Sequence, residues 1–143
     1  MFGPQGAELF DGLYNAIKRW QPSQHYAGED GYRNELMEYV RLNSTREHIV
    51  KSESGRSLAD IAVDKTIGIE LKLNFKKKSQ LDRLIGQLDT YLEEYRGVIV
   101  VLCGESNQSL VEELRAKLRQ KRNSSGGLMG SELMLGVVEV GKP

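Results

Sequence analysis

The sequence predicts an α/β protein in which a mixed central sheet is flanked by helices. Two stretches predict the sheet: an alternating apolar hairpin, SLADIAVDKTIGIELKLN at 57–74, and a continuous apolar run, GVIVVLC at 97–103. An antiparallel meander joined by a crossover helix to a buried strand is typical of mixed sheets. Helical periodicity before the hairpin and on both sides of the apolar run supplies the flanking helices.

Length and composition indicate one domain, residues 1–143, with no repeat or linker dividing it. The hydrophobic content of 39% and the charged content of 28% are ordinary for a soluble globular protein. No apolar run approaches the roughly 20 residues that span a membrane. A single cysteine, Cys103, and an N-terminus unlike a signal peptide predict a cytoplasmic protein. A formal net charge of zero disfavours bulk electrostatic binding of nucleic acid, so such binding would need a local basic surface.

The N-terminal segment, residues 1–22, is predicted to be accessory to a core at 30–141. Its helix, at 6–20, carries an apolar stripe at helical spacing. Pro22 prevents the helix from continuing. We expect this helix to pack on the sheet or against a second subunit.

The predicted core begins with a second helix at 31–43, for which Asp30 is the expected cap. A strand at 48–53 then forms the outer member of a three-strand meander. His48 is interpreted as a structural strand-edge residue, because no second histidine or cysteine accompanies it at ligand spacing.

The hairpin predicts that two acidic side chains face each other. A three-residue loop between strands 58–63 and 67–73 aligns their apolar faces and sets Asp60 opposite Glu70, with Cβ atoms roughly 5 Å apart. Like charges so placed destabilise a sheet, but a slip of register would turn the apolar row outward. A divalent cation between the carboxylates would remove the repulsion. Lys72 lies roughly 6.6 Å further along the strand, near enough to act at the same site.

Asp60 followed by Glu70-Leu71-Lys72 resembles the D…(D/E)xK signature of the PD-(D/E)XK nuclease superfamily. SLADIAV and IGIELKL are similar to the SxPDhhh and hhhExK segments of archaeal Holliday-junction resolvases and RecB-type nucleases, although Ala59 stands where those families often have proline. The resemblance implies a restriction-endonuclease-like fold, an αβββαβ core with an extra N-terminal helix. It also implies a metal-dependent nuclease that hydrolyses DNA phosphodiester bonds.

The same resemblance implies the composition of the site. Asp60 and Glu70 would bind Mg²⁺ or Mn²⁺, with the backbone carbonyl of Leu71 as a third ligand. Oxygen ligands without cysteine or histidine suit these cations. Lys72 would orient or help to deprotonate the attacking water, and Gln87 would position Lys72 or the substrate.

Glu35 is a further candidate for catalysis and metal binding, since the superfamily commonly brings a glutamate from its first core helix to the metal. It lies inside the apolar stripe that Tyr32 and Tyr39 mark, where an unpartnered carboxylate costs free energy. The alternative interpretation is that Glu35 pairs with an arginine such as Arg33 or Arg56.

Nucleic-acid contacts are predicted just after the hairpin. The basic run there is close in sequence to Lys72, although a solvated loop is the usual role of such a run. Gln87 and Tyr91, on the helix that follows, resemble the QxxxY motif of RecB-type nucleases; the alternative is a tyrosine that packs and a glutamine that meets solvent. The predicted contacts are Lys76, Lys77, Lys78, Arg83 and Tyr91.

The remaining elements alternate helix and strand. The helix after the basic run is expected to begin with Ser79 as its cap and Asp82 in a capping-box relation. A helix that Ser106 is expected to cap runs to about residue 122, and its basic second half suits the negative end of the helix dipole. The last strand, at 132–140, contains Gly136, which predicts a weak point or a bulge.

The sequence is also compatible with other functions. A catalytically silent nuclease-fold module would bind nucleic acid or a protein partner, and a metal-binding domain would act on another phosphoester. The joint presence of Asp60, Glu70 and Lys72 favours activity, because a purely structural role does not require all three. DNA is the expected partner, with no membrane association. The resolvase resemblance implies a homodimer that cuts branched DNA, whereas the RecB-like residues suit ends, single strands or damaged duplex.

Overall fold

The computed structural model describes residues 3–43, 50–52, 59–125 and 134–140. Within these ranges the chain forms four helices and five strands, an α/β architecture as predicted. No helix in these ranges has both the length and the apolar character needed to cross a membrane. In chain order the elements are α1 (Gly3–Lys18), α2 (Glu29–Leu42), β1 (Val50–Ser52), β2 (Ile61–Val63), β3 (Ile67–Leu73), α3 (Lys78–Glu94), β4 (Gly97–Cys103), α4 (Gln108–Ser125) and β5 (Met134–Glu139).

The strands make one mixed sheet in the order β1-β2-β3-β4-β5. β1, β2 and β3 are an antiparallel meander, and β3, β4 and β5 are parallel, with α3 and α4 as the crossovers. Tight turns can join antiparallel strands, whereas parallel neighbours need a long connection. The predicted outer strand is confirmed at 50–52, while His48 and Arg56 lie outside the described residues.

The sheet separates two apolar clusters, each covered by two helices. Every residue of β4 is buried. Ile99 and Val101 face the cluster that contains α1 and α2, and Val98 and Val100 face the cluster that contains α3 and α4. A parallel strand covered on both faces needs apolar side chains on both, which is why its sequence does not alternate.

Helix α1 belongs to the first of these clusters, where Phe10, Leu13 and Ile17 are buried. Its approach to β5 explains Gly136. A Cβ atom at Gly136 would lie 2.7 Å from the Tyr14 ring, so a side chain there would force the helix away. The pairing of β5 with β4 is continuous through Gly136, and the expected bulge is therefore absent from this described stretch.

Helix α2 begins at Glu29, two residues earlier than predicted. Gly28 precedes it in extended conformation, and no side chain caps the helix. Asp30, the expected cap, lies instead in the first helical turn. There it forms an ion pair with Arg33 at 3.2 Å. The two acidic residues in the first turn interact favourably with the positive end of the helix dipole, and this interaction stabilises a helix start that has no side-chain cap.

The serines predicted to cap α3 and α4 do not do so. In α3, the side-chain oxygen of Gln80 accepts the backbone N–H of Lys77 at 2.9 Å, so the glutamine takes the role expected of Ser79 and its partner. In α4, the side-chain oxygen of Asn107 accepts a first-turn N–H at 3.2 Å, one residue after the predicted Ser106. Both helices are present as predicted, but the predicted capping residues were wrong.

The basic residues of α4 have a structural role at the edge of the sheet. Arg115 donates to the carbonyl oxygen of Val137 at 3.2 Å, and Arg122 donates to that of Leu135 at 3.3 Å. These carbonyls belong to β5, an edge strand. Guanidinium groups on an edge satisfy its free acceptors and discourage pairing with another chain.

The β2–β3 hairpin has the register that its apolar faces predict, with Val63 paired to Ile67. Its turn is closed by the N–H of Thr66, which donates to the Val63 carbonyl at 3.0 Å. Asp64 and Lys65 both adopt left-handed backbone conformations, with φ of 52° and 56°. For residues with a Cβ atom this conformation costs about 1–2 kcal/mol.

Replacing Lys65 with glycine is therefore expected to stabilise the protein by about 0.5–1 kcal/mol, because glycine adopts positive φ without the Cβ clash. Urea unfolding would measure the change. Lys117→Gly, at an exposed position inside α4, is the matched control and should destabilise by about 1 kcal/mol. Destabilisation by both variants would contradict the strain assigned to the turn.

Candidate functional site

The site begins where the alternation of β2 breaks. Strict alternation over 58–63 would put Ala59 on the same face as Ile61, but Ala59 packs in the cluster of α3 and α4. Its backbone N–H donates to the Tyr95 hydroxyl at 3.3 Å. A Cβ atom on Gly68 would lie 2.8 Å from the Tyr95 ring, so the glycine makes room for that ring. The chain consequently bends at Asp60, just before β2 begins.

Asp60 and Glu70 meet across the hairpin, as its register predicts. The backbone N–H of Asp60 donates to Oε1 of Glu70 at 3.3 Å. In return, the backbone N–H of Leu71 donates to Oδ2 of Asp60 at 2.8 Å. Each carboxylate thus accepts an N–H from the opposite segment, and this pair of bonds holds the two acids side by side.

Glu70 is the buried charge at the centre of the site, with 3% of its surface exposed. Lys72 Nζ lies 3.2 Å from its Oε2, and the Tyr91 hydroxyl donates a hydrogen bond to the same carboxylate. Burial and, next, the charge of Asp60 raise the pKa of Glu70 from 4.5 to about 7, against the opposing effects of Lys72 and Tyr91. The repulsion within the acidic pair is therefore reduced by an ammonium, two N–H groups, a hydroxyl and partial protonation.

A third acid, Glu29, reaches the same end of β3, and the sequence did not single it out. Its Oε2 accepts the backbone N–H of Leu73 at 3.2 Å. Its pKa is raised, mainly by burial and further by the charge of Asp60, while the Leu73 hydrogen bond and Lys72 act in the opposite direction. An acid in the first turn of a helix is ordinary, so sequence alone gives no signal that this one interacts with Asp60 and Lys72.

Glu35 does not join this group among its described contacts, so its expected role in metal binding and catalysis stays a prediction that these contacts do not support. It accepts hydrogen bonds from Trp20 Nε1 at 3.1 Å, from the Ser23 hydroxyl at 2.6 Å and from the Tyr26 hydroxyl at 2.6 Å. Burial raises its pKa, but these bonds outweigh the effect and lower it overall. The donors come from the α1–α2 connection, so Glu35 ties that connection to α2. Arg33, one alternative partner, pairs with an aspartate of its own helix.

Tyr91, on α3, contacts the acidic pair, and Gln87 lies on the same helix. Tyr91 is 3% exposed and donates to Glu70, so its predicted contact with nucleic acid does not fit its position here. Gln87 lies one helical turn earlier, and its side-chain oxygen is buried with no hydrogen-bond partner in the part of the chain described. A buried acceptor left without a donor costs free energy. Gln87 therefore carries an unsatisfied oxygen on the same face of α3 as Tyr91, since residues four apart on a helix are neighbours.

The basic run before α3 is engaged in ion pairs. All three lysines are exposed, and the outer two contact glutamates of the segment after β4. Such pairing reduces the positive charge that the run would offer to phosphate. Contact of Lys76, Lys77, Lys78 and Arg83 with nucleic acid stays a prediction. The ion pairs are Lys76–Glu105 at 2.7 Å and Lys78–Glu113 at 2.6 Å.

The donor set of the hairpin fits a hard divalent cation in its chemistry. Across the described ranges no three His, Cys, Asp or Glu side chains converge as a ready metal cage. Mg²⁺, however, is commonly held by one or two carboxylates together with water. The N–H of Leu71 points to Asp60, and a strand residue directs its C=O to the same side. The Leu71 carbonyl and Oδ1 of Asp60, which has no partner in the described chain, could thus complete such a site beside Glu70. No protein-family model, curated protein or solved structure matches the chain.

Neutralising Glu70 tests its raised pKa. Because the folded-state pKa of about 7 exceeds the ordinary 4.5, the folded state binds more protons between these values, and stability falls as pH rises through that window. The loss amounts to about 3 kcal/mol. Glu70→Gln should remove this dependence and be more stable than the parent protein at about pH 8, with the difference shrinking towards about pH 5.

Urea unfolding at several pH values provides the measurement. Glu38→Gln is the control, since Glu38 is exposed and pairs only with Arg41 at 3.6 Å among its described contacts. Its profile should run parallel to that of the parent protein. An identical pH slope for the Glu70 variant and the parent would show that Glu70 titrates normally.

The structural role of Glu35 predicts a loss of stability rather than of metal binding. Glu35→Ala leaves three side-chain donors and the Ser23 N–H without their acceptor, and is expected to cost about 3 kcal/mol. Glu38→Ala, which breaks one exposed ion pair, should cost less than about 0.5 kcal/mol. Mn²⁺ affinity of the folded Glu35 variant, measured by calorimetry, should equal that of the parent. A selective loss of affinity would return Glu35 to the metal site.

Proposed function

We propose that this protein is a metal-dependent nuclease with a restriction-endonuclease-like fold that hydrolyses DNA phosphodiester bonds. The observation that carries the proposal is the contact between Asp60 and Glu70 through reciprocal backbone hydrogen bonds, with Lys72 on the same carboxylate. A buried acid with a shifted pKa beside a second acid and a lysine is typical of functional sites. The order of the meander, the crossover helix and the parallel strands supports the proposed fold.

Asp60, Glu70 and the Leu71 carbonyl would hold Mg²⁺ or Mn²⁺. Such an ion, when bound, lowers the pKa of its water and stabilises charge on the phosphodiester under attack. The protein positions the acids through backbone N–H groups of the hairpin, so neither carboxylate depends on a mobile loop for its orientation. Fixed donors and ligands of this kind need little reorganisation during reaction.

Lys72 and Tyr91 control the charge of Glu70. The Tyr91 hydroxyl donates to the carboxylate and favours its ionised form. Lys72 carries a charge on a long flexible stem and would offset the charge of a substrate phosphate or orient the attacking water. Gln87 would accept a hydrogen bond from Lys72 or from water through its unsatisfied oxygen.

A catalytically silent module that binds nucleic acid or a protein partner is the second candidate. Two observations favour it: Lys72 already forms an ion pair with Glu70, and two lysines of the basic run are already paired with glutamates. The candidates differ in what Lys72→Ala would do. In a nuclease the substitution abolishes cleavage and leaves DNA binding, whereas in a silent module there is no cleavage to lose.

The test is cleavage of linear, nicked, branched and single-stranded DNA with Mg²⁺, Mn²⁺ or EDTA. We expect cleavage of at least one DNA form with a divalent cation and none with EDTA. Asp60→Asn and Lys72→Ala should each lower the rate by at least about 100-fold, the range lost with a charged catalytic group. Lys117→Ala, at an exposed site on α4, is the matched control and should cleave normally. Inactivity of the parent protein on every DNA in every buffer would favour the silent module.

A further inference from the structure

Both oxygens of Glu70 are engaged by the protein itself. Oε1 accepts the N–H of Asp60, and Oε2 lies 3.2 Å from Lys72 Nζ, while the Tyr91 hydroxyl donates to the same carboxylate. The N–H is fixed by the hairpin and Tyr91 is buried in the core beneath α3. Lys72 is the one of these donors that sits on a long flexible stem. A cation that binds Glu70 through Oε2 therefore competes with Lys72 for that oxygen.

A second carboxylate interacts with the charge of Lys72 without contacting it. Glu29 accepts the N–H of Leu73, the residue directly after Lys72, at 3.2 Å. Within the described residues Lys72 and Glu29 form no direct ion pair, but the charge of Lys72 lowers the pKa of Glu29 against the effect of burial. Lys72 thus has an occupied position at Glu70 and a neighbouring acid that it does not yet contact.

We propose that Lys72 is a two-position latch, which pairs with Glu70 in the metal-free protein and moves towards Glu29 when a divalent cation binds. The proposal rests on the metal site of the proposed function. An ammonium and a divalent cation on one buried carboxylate repel each other strongly, because the surroundings of Glu70 screen charge poorly. The move would relieve that repulsion and leave Lys72 beside a negative partner.

The latch makes Glu29 a positioning residue that acts through Lys72, not a ligand. A carboxylate that binds the cation directly contributes to affinity whatever residue stands at 72. A carboxylate that only receives Lys72 contributes only while the lysine is present. A double-mutant cycle separates these roles, because it measures how far the effect of one change depends on the other residue.

The experiment is calorimetric titration of Mn²⁺ into the full chain without DNA, at about pH 8, above the pKa of Glu70, so that protons compete little. The variants are Lys72→Met, Glu29→Gln and the double variant, with Lys117→Met as the charge-matched control. Lys72→Gln is a second test of the same site, and circular dichroism verifies the fold of each. Methionine keeps a long apolar stem at a side chain that is 17% exposed.

We expect Lys72→Met to bind Mn²⁺ about tenfold more tightly and Glu29→Gln about threefold more weakly than the parent. The double variant should match Lys72→Met, and the control should match the parent. Unchanged or weaker binding by both Lys72 variants would overturn the latch. An equal loss from Glu29→Gln with and without Lys72 would make Glu29 a ligand and overturn its positioning role.

Failure of the latch and failure of the proposed function give different results. Mn²⁺ binding that depends on Asp60 but not on Lys72 overturns the latch and leaves the nuclease proposal standing. The expected affinities without any DNA cleavage support the latch and count against the nuclease. Absence of Mn²⁺ binding in the parent and in every variant overturns both.

Discussion

The pairing of β2 with β3 is the constraint on which the site depends. Ile61, Val63 and Ile69 are fully buried on the face that α1 and α2 cover, and a slip of one residue would turn that row to the other side of the sheet. The same register leaves Asp60 beside Glu70. Apolar burial thus fixes the positions of two carboxylates that repel each other.

The two acids are tolerated because backbone N–H groups and two side chains offset the free-energy cost of placing them together. Both carboxylates accept N–H groups, and Glu70 also meets Lys72 and Tyr91. Its raised pKa shows that the compensation is incomplete. In a natural protein the local sequence preferences usually agree with the fold. A site where they conflict and stability is lost is therefore expected to be a functional site. The hairpin supplies one such site within an otherwise apolar sheet.

Patterns that depend on periodicity could be read from the sequence, and those that depend on a distant partner could not. The uninterrupted apolar run of β4 and the matching faces of the hairpin determine buried strands and register. The face taken by Ala59 depends on the Tyr95 hydroxyl, which is 36 residues away. The cap of α3 is the hydrogen bond from the Lys77 N–H to the side chain of Gln80. A serine is the more usual capping residue, so the sequence pointed to Ser79 instead.

The two glutamates of α2 illustrate the same limit within the site. Helical periodicity places Glu35 in the apolar stripe of α2 and so indicates that its carboxylate has hydrogen-bond partners. The donors lie in the loop between α1 and α2, and periodicity does not predict the conformation of a loop. Glu29 lies at the helix start, where an acid is common and gives no signal. What brings Glu29 to Asp60 and Lys72 is the direction in which α2 crosses the sheet, a property of packing. The sequence of the hairpin therefore predicts that Asp60 and Glu70 are neighbours. The packing of α2 determines that Glu29 also interacts with this site.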